Sequence, residues 1–142
     1  MTFTGLNIIG VIVAFGFSFV SGAIWFGPKT FYPIWMKERG IASGQLNANQ
    51  NKPVLLFGGT ILGIIAQTLT VALVITSLQH AGTEVSVAAG AGIGLALGLG
   101  IGAFASISHR LFGGESLKVW IIETANDVIN VTIAGAIIAF FN

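Results

Sequence analysis

Cysteine is absent from this chain, and charge is nearly so. Without Cys there can be no disulfide, no thiolate nucleophile and no Cys-ligated metal. Six basic and five acidic residues make up 8% of the 142, against about 25% in an ordinary soluble domain. That is too little to wet a normal surface, so lipid must cover much of it. A net charge of +1 with no basic patch excludes the counterion-releasing surface that nucleic-acid binding needs. The two histidines, His80 and His109, each stand alone in an expected loop. No HExxH, no paired His at ligand spacing and no Ser-His-acid set occurs. The sequence thus offers no catalytic residue, metal site or cofactor motif, and it reads as a protein that is not an enzyme. Proline is scarce too. Pro28, Pro33 and Pro53 all fall between apolar runs, where they end or begin helices without breaking a hydrogen-bond ladder.

What fills the chain is apolar: 54% of its residues are hydrophobic. A bilayer core of about 30 Å needs about 20 apolar residues in a helix. Residues 6–26, 54–78, 85–107 and 117–141 each meet that requirement. The expected fold is all-α, a single polytopic membrane domain of four helices with a Gly-rich third helix. Short connections at His80-Ala81-Gly82-Thr83 and Phe112-Gly113-Gly114 make tight hairpins. The first run lacks a basic start and a small-residue cleavage pattern, so it is expected to stay attached.

Charge predicts the orientation. Lys29, Lys37, Arg39 and Lys52 lie between the first two spans, and Arg110 and Lys118 flank the connection between the last two. The positive-inside rule places both basic connections in the cytoplasm and both termini outside, in the cell (inner) membrane. The connection 27–53 begins with an aromatic half. Tyr32 and Trp35, with Trp25 and Trp120 at the ends of spans one and four, suit headgroup depth as interface anchors. A substrate or partner patch is the alternative reading of the aromatic piece. Residues 42–51 look like a solvated loop.

The third span carries two rows of small residues. Gly90, Gly94, Gly98 and Gly102 recur every fourth residue, and Ser106 continues the row. Ala88, Gly92, Ala96 and Gly100 form a second row on nearly the opposite face. Small-xxx-small rows let helices approach closely, and two rows imply two close neighbours, one of them inside the chain. Gly59 and Gly63 of span two, and Ser18 and Gly22 of span one, offer partner surfaces. The alternation of Gly with Leu and Ile superficially suggests a strand. A lone strand cannot satisfy its backbone in lipid, so a helix is expected.

The fourth span carries Glu123, Asn126, Asp127 and Asn130 within an arc of roughly 100°. Counted from Leu117, Glu123 lies about 9 Å deep, Asp127 about 15 Å and Asn130 about 20 Å. A charged Asp near mid-membrane costs a few kcal/mol at least, so it must be neutral, paired or facing water. Gln67 of span two comes to the level of Asn130, and Ser18 of span one to that of Glu123 and Asn126. A long side chain from Arg110 or Lys118 reaches Glu123 from the rim, while no Lys or Arg is available at mid-depth. The amides suit interhelical hydrogen bonds. Intramembrane acids more often mark an ion or proton path.

Ile24-Trp25-Phe26-Gly27-Pro28, followed by Phe31 and Trp35-Met36-Lys37, resembles the end of the first helix in bacterial membrane proteins of the domain of unknown function 1761 family. A Trp-aromatic-x-Pro turn, then an aromatic and Trp-Met-Lys, marks that family. Its members are short and have four expected spans, so the resemblance covers the whole chain. It implies fold and membrane residence and supplies no catalytic or binding residue. Residues and resemblance together describe a small bilayer protein, a homo-oligomer because one bundle leaves a small-residue face over. Two functions fit. One is a channel- or transporter-like protein whose acidic stripe carries cations or protons. The other is a structural or accessory membrane subunit without transport.

Overall fold

A computed structural model describes residues 5–41 and 53–142. The solvated stretch expected at 42–51 and the basic Lys52 lie outside the described residues. Those described form helices α1 (Ile8–Trp25), α2 (Tyr32–Glu38), α3 (Pro53–His80), α4 (Val87–Leu97), a π-helical segment (Gly98–Ala103), α5 (Phe104–Phe112) and α6 (Leu117–Phe141), with no strand among them. Among the described residues, four helices are long and apolar enough to cross a membrane: Ile8–Trp25, Phe57–His80, Val87–Phe112 and Leu117–Phe141. The third runs beyond the expected end at 107, so His109 and Arg110 lie on its last turn rather than in a loop. His80 likewise closes α3 instead of standing in a loop.

Sequence chemistry sets the ends of these helices. Asn7, Ser86 and Ser116 cap α1, α4 and α6 by accepting backbone N–H bonds from the first turn. Gly82 and Gly114 stop α3 and α5 with φ of 84° each, a left-handed conformation that costs glycine nothing. At both stops the next residue bonds back five positions: Thr83 N–H to the Leu78 carbonyl and Glu115 N–H to that of Arg110, each at 3.0 Å. Each hairpin turn is therefore followed at once by a serine cap, which makes the reversal compact.

The centre of the bundle is α6, which packs against α1, α3 and α4. It lies antiparallel to α1 and is tied to it at both ends. Asn7 Nδ2 donates to the Phe141 carbonyl at 2.7 Å, and Trp25 Nε1 to that of Ile122 at 3.0 Å. The start of α1 and the end of α6 thus meet at one end of the bundle. The buried apolar core of Ala14, Val71, Ala72, Ile75, Val131, Ala134 and Ile138 fills the half nearer those ends.

α4 meets α6 backbone to backbone. A side chain added at Gly90 would strike the Gly135 carbonyl, one at Gly94 that of Val131, and one at Gly98 would lie 3.1 Å from Val128 Cα. The row expected from the sequence then breaks. Gly102 faces open space, and Ala103 takes the inner position with 3% of its surface exposed. The cause is the π-helical segment, whose wider turn inserts one residue and changes the spacing from four to five. Three of its six residues are glycine, which holds α-geometry weakly. The second row faces away from the described helices, so of the two neighbours considered for it, a helix of the same chain or of a second copy, the first is not met. Ala88, Gly92, Ala96 and Gly100 are all exposed, and neither Gly92 nor Gly100 meets anything within 4 Å. Gly59 and Gly63 also face open space, because the first half of α3 stands away from the bundle: Val54 is 84% exposed, Phe57 70% and Leu62 67%. Of the eight glycines read as packing residues, three pack within the chain and five look outward.

Candidate functional site

Because α6 touches different neighbours around its circumference, its polar stripe is divided among three environments. Glu123 faces the end of the bundle away from the termini. Its Oε1 accepts from Trp35 Nε1 at 2.8 Å, and its Oε2 forms an ion pair with Arg110 Nη1 at 2.7 Å. Arg110 comes from the last turn of α5, which the π-helical insertion rotates into place. Trp35 comes from α2, which lies across the start of α6. Two further ion pairs fasten α2 there: Arg39 with Glu115, and Lys118 Nζ with Glu38 Oε1 at 2.7 Å. The Arg39 guanidinium also stands 4.9 Å above the Trp35 ring.

Asn126 and Asn130 turn inward and are buried. Asn126 approaches Gly22 of α1, and Ser18 is buried one turn earlier on that helix. The interhelical bonds expected of these amides are not made by their oxygens. Neither Oδ1 accepts a hydrogen bond among the described residues. Thr132 and Thr124, nearby on α6, instead satisfy themselves by donating to carbonyls one turn back.

Asp127 takes the third direction. It is exposed at the floor of a cleft of about 300 Å³ between α3, the π-helical segment and α6. Gln67 and Thr70 of α3 share that floor, and Val71, Leu97, Ile101 and Val131 supply apolar walls. The cleft exists because α3 leaves the bundle below Thr68 and because the π-helical segment leaves Gly102 without a side chain there. Asp127 forms no ion pair among the described residues. Gln67 thus shares a cleft with Asp127, and Asn130, whose depth it matches, does not line that cleft.

The expected interface anchors are used internally as well. Trp25, Trp35 and Trp120 all donate their indole N–H groups to protein acceptors; Trp120 Nε1 lies 3.3 Å from the Ala103 carbonyl and 3.2 Å from Ser106 Oγ. Tyr32 stacks on Trp35 at 6.0 Å. The aromatic connection is therefore a packed cover over Glu123, beyond any contact it makes with headgroups. A second, open basin of about 620 Å³ lies at the termini end, lined by Thr76, Gln79, His80, Thr83 and Glu84 among others.

The chain matches the family described as Protein of unknown function (DUF1761) over residues 9–139. It belongs to that family. The match runs from the first turn of α1 almost to the end of α6, so in this DUF1761 protein the whole bundle is the family's unit. No curated protein and no solved structure matches the chain. The DUF1761 frame explains the Trp-aromatic-x-Pro turn in physical terms. Trp25 bonds to α6 across the turn, Thr30 Oγ1 donates to the Trp25 carbonyl at 2.7 Å, and Trp35 is delivered to Glu123. Sequence reasoning missed Thr70 and the Trp35–Glu123 bond. A threonine one turn from Gln67 was the available signal for the first; nothing local signals the second, whose partners are 88 positions apart.

Proposed function

We propose that this protein is a homo-oligomeric, channel- or transporter-like membrane protein, not an enzyme, that conducts a cation or a proton by way of Asp127. The observation that carries the reading is the open cleft. A carboxyl group at mid-membrane costs several kcal/mol unless something answers it. Here Asp127 stands beside Gln67 and Thr70 in accessible space, with no cation of the chain paired to it among the described residues. Were the stripe only helix glue, its polar atoms would be paired; the Oδ1 atoms of Asn126 and Asn130, which accept no hydrogen bond among the described residues, argue against that. Glu123, under its cover of Trp35 and Arg110, acts as the gate at the basic end.

The remaining parts of the reading follow from surface. The basic end, with Lys29, Lys37, Arg39, Arg110 and Lys118, faces the cytoplasm, and the termini face outward from the inner membrane. A second copy seats on the outward row of Ala88, Gly92, Ala96 and Gly100, whose lack of side chains admits close approach. A structural or accessory subunit is the second reading, favoured by the exposed first half of α3, which offers a partner helix a long apolar face. Liposome flux decides between the two. Protein reconstituted with a proton-sensitive dye inside is expected to pass protons or a monovalent cation, and Asp127→Asn to abolish that passage. Flux unaltered by Asp127→Asn removes Asp127 from the mechanism, and no flux from any preparation favours the accessory subunit.

A further inference from the structure

Two grooves of similar size flank the π-helical segment. One, of about 290 Å³ and bordered by Leu99, Phe104, Trp120 and Ile129, carries no charged group. The other holds Asp127. Their difference is chemical rather than geometric, and it bears on what the second would hold. Its walls are Val71, Leu97, Ile101 and Val131, and its polar floor consists of a carboxyl, an amide and a hydroxyl. Thr70 Oγ1 donates its proton to the Ala66 carbonyl at 2.8 Å, which leaves that oxygen as an acceptor. Asp127, Gln67 and Thr70 together therefore line one apolar-walled cleft with three acceptor groups.

We infer that the Asp127 cleft is a binding site for a primary ammonium ion bearing a small apolar body. Three lines converge on that class. The carboxyl group calls for a positive charge, and no ion pair among the described residues supplies one. An ammonium group has three N–H donors, matching three acceptors, whereas a quaternary cation has none. A bare metal cation would need about six oxygen ligands, and the apolar walls supply none of the remainder. The volume lies at the lower end of ligand sites, so the body is small. The opening past the detached first half of α3, whose Val54, Phe57 and Leu62 are exposed, lets such a molecule enter sideways from the bilayer. The inference rests on Asp127 as the group a permeant meets, and it names that permeant's class.

The probe is n-hexylammonium, titrated calorimetrically into purified protein in detergent, with n-hexanol, tetraphenylphosphonium and potassium as comparators. Saturable binding of hexylammonium is expected, with hexanol and potassium ineffective and tetraphenylphosphonium weaker. Asp127→Asn should weaken hexylammonium by roughly tenfold or more, the loss of one charge-assisted contact. Thr70→Val, on the exposed side of α3, should weaken it less without disturbing the fold, and Phe104→Ala in the uncharged groove should leave it unchanged. Equal binding by hexanol, by tetraphenylphosphonium or by the Asp127→Asn protein overturns the inference. The measurement needs no gradient. Amine binding without flux therefore defeats only the transport reading, and flux without amine binding defeats only this one.

Discussion

Glu123 and Asp127 sit one turn apart on one helix and meet opposite fates. Glu123 is covered: an indole donates to one oxygen and a guanidinium pairs with the other. The two partners differ in weight. Arg110 is 42% exposed on its side chain, so solvent screens its pair, and such pairs contribute about 0–1 kcal/mol. The Trp35 bond is part-buried and charge-assisted, and bonds of that kind contribute about 1.5–3 kcal/mol. Trp35→Phe, which keeps most of the ring and removes the N–H, is accordingly expected to lower thermal stability in detergent more than Arg110→Gln does. The reverse order would show that charge, not the indole, holds Glu123. The buried amides give a second prediction at this scale. Since Asn130 Oδ1 accepts no bond among the described residues, Asn130→Leu replaces an unsatisfied group by an apolar one of similar size. Its melting should change by less than about 1 kcal/mol; a loss of about 2 kcal/mol or more would mean that Asn130 is glue after all.

At the scale of helices, the π-helical segment organises both the packing and the cleft. It closes the contact begun by Gly90, Gly94 and Gly98, turns Gly102 outward, and brings Ala103 inside. Glycine rows that look alike in sequence therefore differ in consequence. Gly94→Leu drives a side chain into the α6 backbone at Val131 and is expected to destabilise by about 3 kcal/mol or prevent folding. Gly92→Leu, pointing into open space, should leave the melting temperature of the monomer unchanged and reveal itself only in assembly, read by cross-linking or native mass spectrometry. The four spans were legible beforehand because hydropathy over about 20 residues outweighs every local propensity. The break in the row was not, because a fourfold glycine repeat reads the same whether or not one turn takes an extra residue. Nor could the repeat say which row faces inward. That is decided on α6 by Gly135 and Ala139, the small residues that face Gly90. The use of Trp25 and Trp35 was hidden for a similar reason, since aromatic residues at headgroup depth satisfy the bilayer and the protein equally well by composition.

For the molecule as a whole, unequal packing is the main feature. The half near the termini holds the buried core, while the basic half is held by α2, three ion pairs and an indole bond, with α3 standing off. Polar fastening holds one end and apolar packing the other, and the cleft opens midway along the helices. The acids of the fourth span were found from sequence by the rarity of charge in a span. Their separation into a covered Glu123 and an open Asp127 required knowing which neighbour stands on each side of α6. The natural absence of Cys makes the claim of an open Asp127 directly measurable with single Cys substitutions and a small cationic thiol reagent. Asp127→Cys, Gln67→Cys and Thr70→Cys are expected to label within minutes and Asn130→Cys to stay protected. Protection at Asp127→Cys beside rapid labelling of Asn130→Cys would contradict the account.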